Sequence, residues 1–333
     1  MTSIAVLGLG NFGTALARVW ALHGNRVCGW TVEEEVFTSF RETGTNAKYL
    51  PDVELPGAEV TMDLPAALEG AEAVVLALPS HVILEVVDDI APMLADRQML
   101  LDLAKGLAPG ERLVSDAIKE KLGAAGCASP LAVMTGPTIA REVAAGVLTT
   151  ALVASEELSV ARTLAERLST DTLKLRFADD PLGVELWGAF KNVIALACGV
   201  CDGLGGDDGP GADNLKAAVF TAGFHEACRL LEAMGAQPDT ARSPAGIGDL
   251  FVTATSPHGR NRRTGELLGS GQRLDEALGS TVMVSEGVRA TRMFAARAAA
   301  EGIDAPFVSG VLALLDGAVG ARDCVEGLLR IDR

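Results

Sequence analysis

The sequence predicts an α/β protein in two parts: a doubly wound parallel sheet over residues 1–179, then an all-helical domain over residues 180–333. Three observations carry this expectation. A short apolar strand at the start runs directly into three closely spaced glycines and a helical pattern. Apolar runs and helical patterns then alternate through the first half, as strand–helix–strand units require. After about Asp180 the spacing turns helical throughout, with several alanine-rich stretches and few β-branched runs.

The first element is the run Ile4-Ala5-Val6-Leu7, which ends in Gly8-Leu9-Gly10-Asn11-Phe12-Gly13 and continues as Thr14-Ala15-Leu16-Ala17. This is G-x-G-x-x-G spacing between a strand and a helix. Gly8 permits the sharp turn, Gly10 lets backbone approach a diphosphate, and Gly13 lets the helix pack on the strand. The helix N-terminus then offers free N–H groups to an anion. This context defines a Rossmann-like dinucleotide site rather than a plain tight turn.

Further strands are predicted at Arg26–Trp30, Ala73–Leu78, Gln98–Asp102, Leu131–Met134 and Ala151–Ala154, with Gly24-Asn25 closing the first helix. The second strand leads into Thr31, Val32 and Glu33, about twenty residues past the glycines, where a ribose-reading acid belongs. The domain boundary falls near Ala178–Pro181, with Pro181 suited to the first turn of a long helix. Gly205–Gly211 is too rich in glycine for regular structure and reads as a loop.

With 333 residues, 49% of them hydrophobic, the chain can bury a large core in two domains. A net charge of -16 disfavours nucleic acid and anionic lipid as partners. Six scattered cysteines fit a reduced cytosol, and Cys198 with Cys201 reads as a buried helix face rather than half of a zinc site. No metal is expected, since no histidine and carboxylate cluster appears. The apolar run Val184–Val200 carries Lys191 in its middle, which argues against stable membrane insertion. The first strand begins almost at Met1 with no signal peptide before it, so a cytoplasmic location is expected.

Several residues stand where chemistry is expected. Lys105 lies just past the fourth predicted strand, on the side where open α/β sheets bind ligands; it is either a crevice lysine or a solvated loop lysine. Gly136-Pro137-Thr138 follows the next strand and precedes a helix, as an ordinary cap or as donors to substrate oxygens. Lys191-Asn192 is embedded in an apolar helix and must find polar partners or snorkel to water. Asp249 and Thr253 follow a glycine-rich turn, and Arg260-Asn261-Arg262-Arg263 places three arginines in four positions. That patch suits a phosphate grip or a solvated loop. His81 reads as a structural residue of the third strand–helix connection rather than a general base.

In order along the chain, the glycine motif, Leu78-Pro79-Ser80-His81, Lys105-Gly106-Leu107, Gly136-Pro137-Thr138, Lys191-Asn192-Val193-Ile194-Ala195, Gly248-Asp249-Leu250, Arg260-Asn261-Arg262-Arg263 and Glu286-Gly287 resemble the bacterial-type NAD(P)-dependent glycerol-3-phosphate dehydrogenases. The resemblance spans nearly the whole chain. It implies reversible reduction of dihydroxyacetone phosphate to sn-glycerol 3-phosphate, a precursor of phospholipids, and a homodimer. It also implies that Lys191 donates and accepts the proton, and that Lys105 touches both substrate and cofactor. Gly136, Thr138, Asp249, Arg260 and Asn261 would surround the substrate, joined by Asn192 and Thr253 as in relatives of the eukaryotic type. Asn11, Phe12, Ala140, Arg260, Val284 and Glu286 would line the cofactor. The chain departs from the family pattern at Phe12, Ala222 and Gly259, and its Gly205–Gly211 loop is long.

Glu33 would accept hydrogen bonds from the adenosine ribose and repel a 2′-phosphate, and no arginine stands at that strand end. NADH is therefore the expected cofactor, with NADPH possible through Thr31. The residues alone leave two other readings open: a related β-hydroxyacid-type dehydrogenase acting on a carboxylate, and a non-catalytic dinucleotide-binding regulator.

Overall fold

The computed structural model describes residues 1–105, 107–108, 110, 112–205, 213–256, 259–279 and 285–330. The chain divides into two compact units, Met1–Pro181 and Leu182–Arg333. The first contains strands β1 (Ser3–Leu7), β2 (Arg26–Trp30), β3 (Thr45–Asn46), β4 (Leu50–Glu54), β5 (Ala58–Thr61), β6 (Ala73–Leu76), β7 (Met99–Asp102), β8 (Leu131–Thr135), β9 (Thr149–Ala154) and β10 (Leu173–Ala178). Eight of them form one sheet in the order β10-β9-β8-β7-β6-β1-β2-β5, while β3 and β4 pair separately.

β1 lies between β2 and β6, with Val6 opposite Gly29 on one side and Val75 on the other. The chain order reverses at β1, so a crevice opens beyond its carboxyl end. Alternate residues of β1 feed two cores. Ile4 and Val6 pack with Leu16, Trp20, Leu164 and Leu168. Ala5 and Leu7 pack with Ile83, Val87, Ile90 and Ile118. A strand covered on both faces reads as a continuous apolar run, which is why β1, β6 and β7 are plain in the sequence.

Two features differ from expectation. The sheet is not wholly parallel: β9 joins β8 antiparallel, and β10 then runs parallel to β9. The short helix Ala140–Ala144 between β8 and β9 reverses the chain instead of crossing it over. The edge strands β5 and β10 are also additions, since their exposed residues (Glu59; Lys174, Arg176 and Phe177) dilute the apolar signal.

The second unit is helical. Its longest element, Pro181–Gly205, begins at the proline and keeps Gly183 to Cys201 buried without interruption. The helix is long and apolar enough to cross a membrane, yet its most apolar stretch is 100% buried within the protein. Cys198 and Cys201 both lie in that buried stretch, and burial pushes the Cys201 thiol up to about 12. Glu226, from the helix Asp213–Ala233, accepts the backbone N–H groups of Phe307 (2.6 Å) and Val308 (2.9 Å). It thereby caps the helix Pro306–Leu315 from a distance, and the desolvation raises its carboxyl pKa.

A Cβ at Gly13 would lie 1.9 Å from the Gly8 carbonyl oxygen. Gly13→Ala is therefore expected to lower unfolding free energy by about 1–3 kcal/mol despite alanine's better helix propensity, as read by urea denaturation.

Candidate functional site

The nucleotide turn is built from backbone. Gly8 takes φ 101, a left-handed conformation, and its N–H donates to the Trp30 carbonyl at 3.0 Å. A Cβ there would sit 2.5 Å from the Ala77 oxygen, so three strand ends meet with no room for a side chain. Around Gly10, by contrast, a Cβ would meet nothing within 4 Å. The open space lies on the N-cap of the helix Asn11–Leu22, which has no side-chain cap and no acid in its first turn. An anionic diphosphate fits this position, because uncapped N–H groups and the dipole favour it there. Asn11 is exposed and Phe12 half-buried beside it.

Sequence reasoning missed the residue that holds this turn. Asn46 is fully buried and donates to the Leu9 carbonyl (2.8 Å) and the Thr14 hydroxyl (2.9 Å). Its Oδ1 accepts the Tyr49 backbone N–H at 3.2 Å. An asparagine in a short polar stretch reads as an ordinary turn former, so nothing local marks it.

Past β7, Lys105 extends to Gly136 and Thr138. Its Nζ donates to the Gly136 carbonyl and the Thr138 hydroxyl, each at 3.3 Å, and sits 5.9 Å from the Phe12 ring centroid. The connections after β1, β7 and β8 thus bring Phe12, Lys105, Gly136 and Thr138 into one cluster. Gly136 is required by space, since a Cβ would lie 2.8 Å from Ala151 Cα. Ala140 opens the next helix, half-buried.

At the end of β2, Glu33 accepts from Tyr49 Oη at 2.9 Å and pairs with Lys48, which also pairs with Glu35. The sequence places no arginine at this strand end, and the fold adds a cation that local reading does not show. The chain folds back and supplies Lys48. Thr31 is buried, and its hydroxyl accepts the Glu33 backbone N–H at 3.1 Å.

In the helical unit, Lys191 forms an ion pair with Asp249 in which both side chains are at most 5% exposed. Asp249 opens the helix Asp249–Thr255, and Thr253 Oγ1 donates back to its carbonyl at 2.7 Å. Asn261 Nδ2 donates to Asn192 Oδ1 at 2.8 Å, while Asn261 Oδ1 accepts from the Gly287 N–H at 2.9 Å and from Ser285 Oγ. Lys191, Asn192, Asp249 and Asn261 are thus buried polar groups with partners. This answers the desolvation problem posed by the sequence.

The three-arginine patch resolves differently from expectation. Arg262 turns inward to Asp202, which also accepts from Lys216 at 2.6 Å, and Arg263 pairs with Glu266 at 2.9 Å. Of the three, Arg260 and Arg263 are exposed, and Arg260 alone has no ion pair among the described residues, at the start of the helix Arg260–Gly269. Glu286 is exposed in the first turn of Glu286–Glu301. Val284 and residues 206–211 of the long loop lie outside the described residues.

A switch-point crevice with an open glycine turn in one unit, and a buried lysine–aspartate pair in a helical second unit, define an NAD(P)-dependent dehydrogenase. The family model for the NAD-dependent glycerol-3-phosphate dehydrogenase N-terminus matches residues 3–161, and that for the C-terminus matches residues 180–326. The chain is 41% identical over 334 residues to a glycerol-3-phosphate dehydrogenase [NAD(P)+] of Moorella thermoacetica, covering 99% of this chain and 96% of that one. It is 40% identical to its Geobacillus kaustophilus counterpart, covering 99% and 94%. The crystal structure of glycerol-3-phosphate dehydrogenase from Coxiella burnetii superposes with TM-score 0.85 at 34% identity, covering 100% and 99% of the two chains. This chain belongs to the NAD-dependent glycerol-3-phosphate dehydrogenase family.

Asp249→Asn removes the countercharge of a buried ammonium while keeping its volume. It is expected to cost about 3–5 kcal/mol of stability in urea unfolding, whereas the Lys191→Met/Asp249→Leu double variant recovers most of that loss.

Proposed function

We propose that this chain reversibly reduces dihydroxyacetone phosphate to sn-glycerol 3-phosphate with NAD(P)H, supplying the backbone of glycerophospholipids. The observation that carries the reading is the buried Lys191–Asp249 pair. An ammonium taken out of water at one fixed place suits a group that passes a proton to a substrate oxygen and takes it back in reverse.

Gly8, Gly10, Asn11, Phe12, Gly13, Glu33, Lys105, Ala140, Arg260, Val284 and Glu286 hold the dinucleotide, which supplies a hydride to the ketone carbon when bound. Lys191 protonates the oxygen of that carbon, and Asp249 keeps the ammonium in place. Lys105, positioned by Gly136 and Thr138, orients the carbonyl end of the substrate. Asn192 and Asn261 brace one another beside Lys191, and Thr253 secures the start of the Asp249 helix. The exposed Arg260 guanidinium and the uncapped N–H groups of its helix, Asn261 included, take the phosphate. The substrate is a small molecule, neither nucleic acid nor lipid surface, and the enzyme works without a metal as a cytoplasmic homodimer.

NADH is the favoured cofactor, because Glu33 offers oxygens to ribose hydroxyls and repels added phosphate. NADH oxidation on addition of dihydroxyacetone phosphate tests the activity directly. Absence of turnover, or turnover only with hydroxy-acid analogues lacking a phosphate, overturns it. Lys191→Ala is expected to lower kcat by about 100-fold or more while nucleotide binding persists. The stable Lys191→Met/Asp249→Leu variant should be equally inactive, which separates lost chemistry from lost folding.

The kcat/KM ratio of NADH to NADPH is expected to exceed one, and a ratio well below one removes Glu33 as the discriminating group.

A further inference from the structure

We propose that Lys48 sets how far this chain accepts a dinucleotide carrying a 2′-phosphate, by neutralising Glu33 at the end of β2 and passing to the phosphate when it binds. The inference rests on the reading of the Gly8–Gly13 turn and Glu33 as the nucleotide site, and deepens it.

The residue that places Lys48 also shapes the turn. Asn46 is fixed in the interior by its bonds to Leu9 and Thr14, and its Oδ1 holds the Tyr49 N–H. Tyr49 in turn donates to Glu33 Oε1 at 2.9 Å. The segment from Asn46 to Tyr49 therefore straps the diphosphate turn to the ribose-reading acid, with Lys48 inside the strap. Lys48 pairs with Glu33 and Glu35 together, and the three groups keep one net negative charge. The ammonium holds the Glu33 carboxyl below the usual carboxylate range.

Such a cluster discriminates weakly, and one residue controls how weakly. A bare Glu33 would oppose a dianionic phosphate; a paired one opposes it less. The Lys48 side chain is 41% exposed and the Glu35 side chain 64%. Exposed ion pairs contribute little stability, so Lys48 exchanges partners at small cost. Glu35 then returns to water, and Glu33 keeps its bond from Tyr49. With a ribose carrying both hydroxyls, the pairs stay as they are and Glu33 reads the sugar.

The test compares kcat/KM for NADPH and NADH with dihydroxyacetone phosphate, at one ionic strength, in the parent chain, Lys48→Met and Lys48→Arg. Lys48→Met should lower the NADPH/NADH ratio by about tenfold or more, as loss of a charge-assisted contact implies, and Lys48→Arg should restore it. A ratio within about twofold of the parent, or equal losses with both nucleotides, overturns the proposal, since a structural role would move both alike. If the parent does not turn over this substrate, the catalytic reading fails. Dissociation constants from fluorescence titration with NADPH and NADH then supply the same ratio, and the same limits decide the role of Lys48. Failure of the parent to bind either nucleotide overturns the proposal with the site it rests on.

Discussion

The helical unit is organised by two helices that touch backbone to backbone. Along Pro181–Gly205 and Arg260–Gly269, a Cβ at Gly199 would lie 2.0 Å from the Arg262 carbonyl oxygen, and one at Gly265 would lie 2.0 Å from that of Leu196. Gly203 and Gly269 repeat the contact one turn on. Glycine inside a helix forgoes about 1 kcal/mol relative to alanine. The return is a register in which short polar side chains meet across the seam. Asn192 reaches Asn261, and Asp202 reaches Arg262, because no larger residue keeps the helices apart. Gly287 brings a third helix to the same point, since its N–H donates to Asn261 Oδ1 and a Cβ would lie 2.9 Å from the Asn192 oxygen. The close packing leaves the polar groups next to Lys191 no solvent to fall back on, so each is satisfied by another.

The sheet unit applies the same device to another end. Gly8, Gly13 and Gly136 remove side chains where strands and helix must meet, leaving the helix N-terminus at Gly10 bare. Close backbone contact in the sheet leaves a helix N-terminus without a side-chain cap, whereas in the helices it makes a filled polar network. That contrast matches the chemistry the proposed function assigns to each. A diphosphate is recognised by many weak N–H donors in place of its water, and a proton donor needs one strong charge with a fixed partner.

How much of this the sequence showed depended on the distance over which each feature is encoded. β1, β2 and the glycine turn are local, and their spacing alone predicts them. Lys191 and Asn192 stood out because polar residues in an apolar helix demand explanation. The partner Asp249 is 58 residues away, and its pairing is a product of folding. The strap of Asn46, Lys48 and Tyr49 was invisible for the same reason: Lys48 meets Glu33 only because the chain turns back after the helix Glu34–Thr43. The arginine run misled in the opposite way. Three like charges in sequence suggested one patch, but Asp202, 60 residues earlier, draws Arg262 inward. The antiparallel turn into β9 was equally hidden, because a five-residue helix can precede either direction of strand.

The chain has 44 acidic against 28 basic residues, and within the arginine run Arg262 pairs with Asp202 and more distantly with Glu266, while Arg263 pairs with Glu266. Arg260 is the first residue of its helix, directly after the Gly259 N-cap, and that first turn carries no acid while its backbone N–H groups give it positive character. An arginine left exposed beside a helix N-terminus is repelled by the dipole unless an anion joins them. The arrangement therefore favours an anion at this helix start, as the proposed function requires of the substrate phosphate. Under the proposed function, binding energy from that non-reacting end would hold the carbonyl against Lys191, so that recognition of a phosphate becomes rate at a carbon several bonds away.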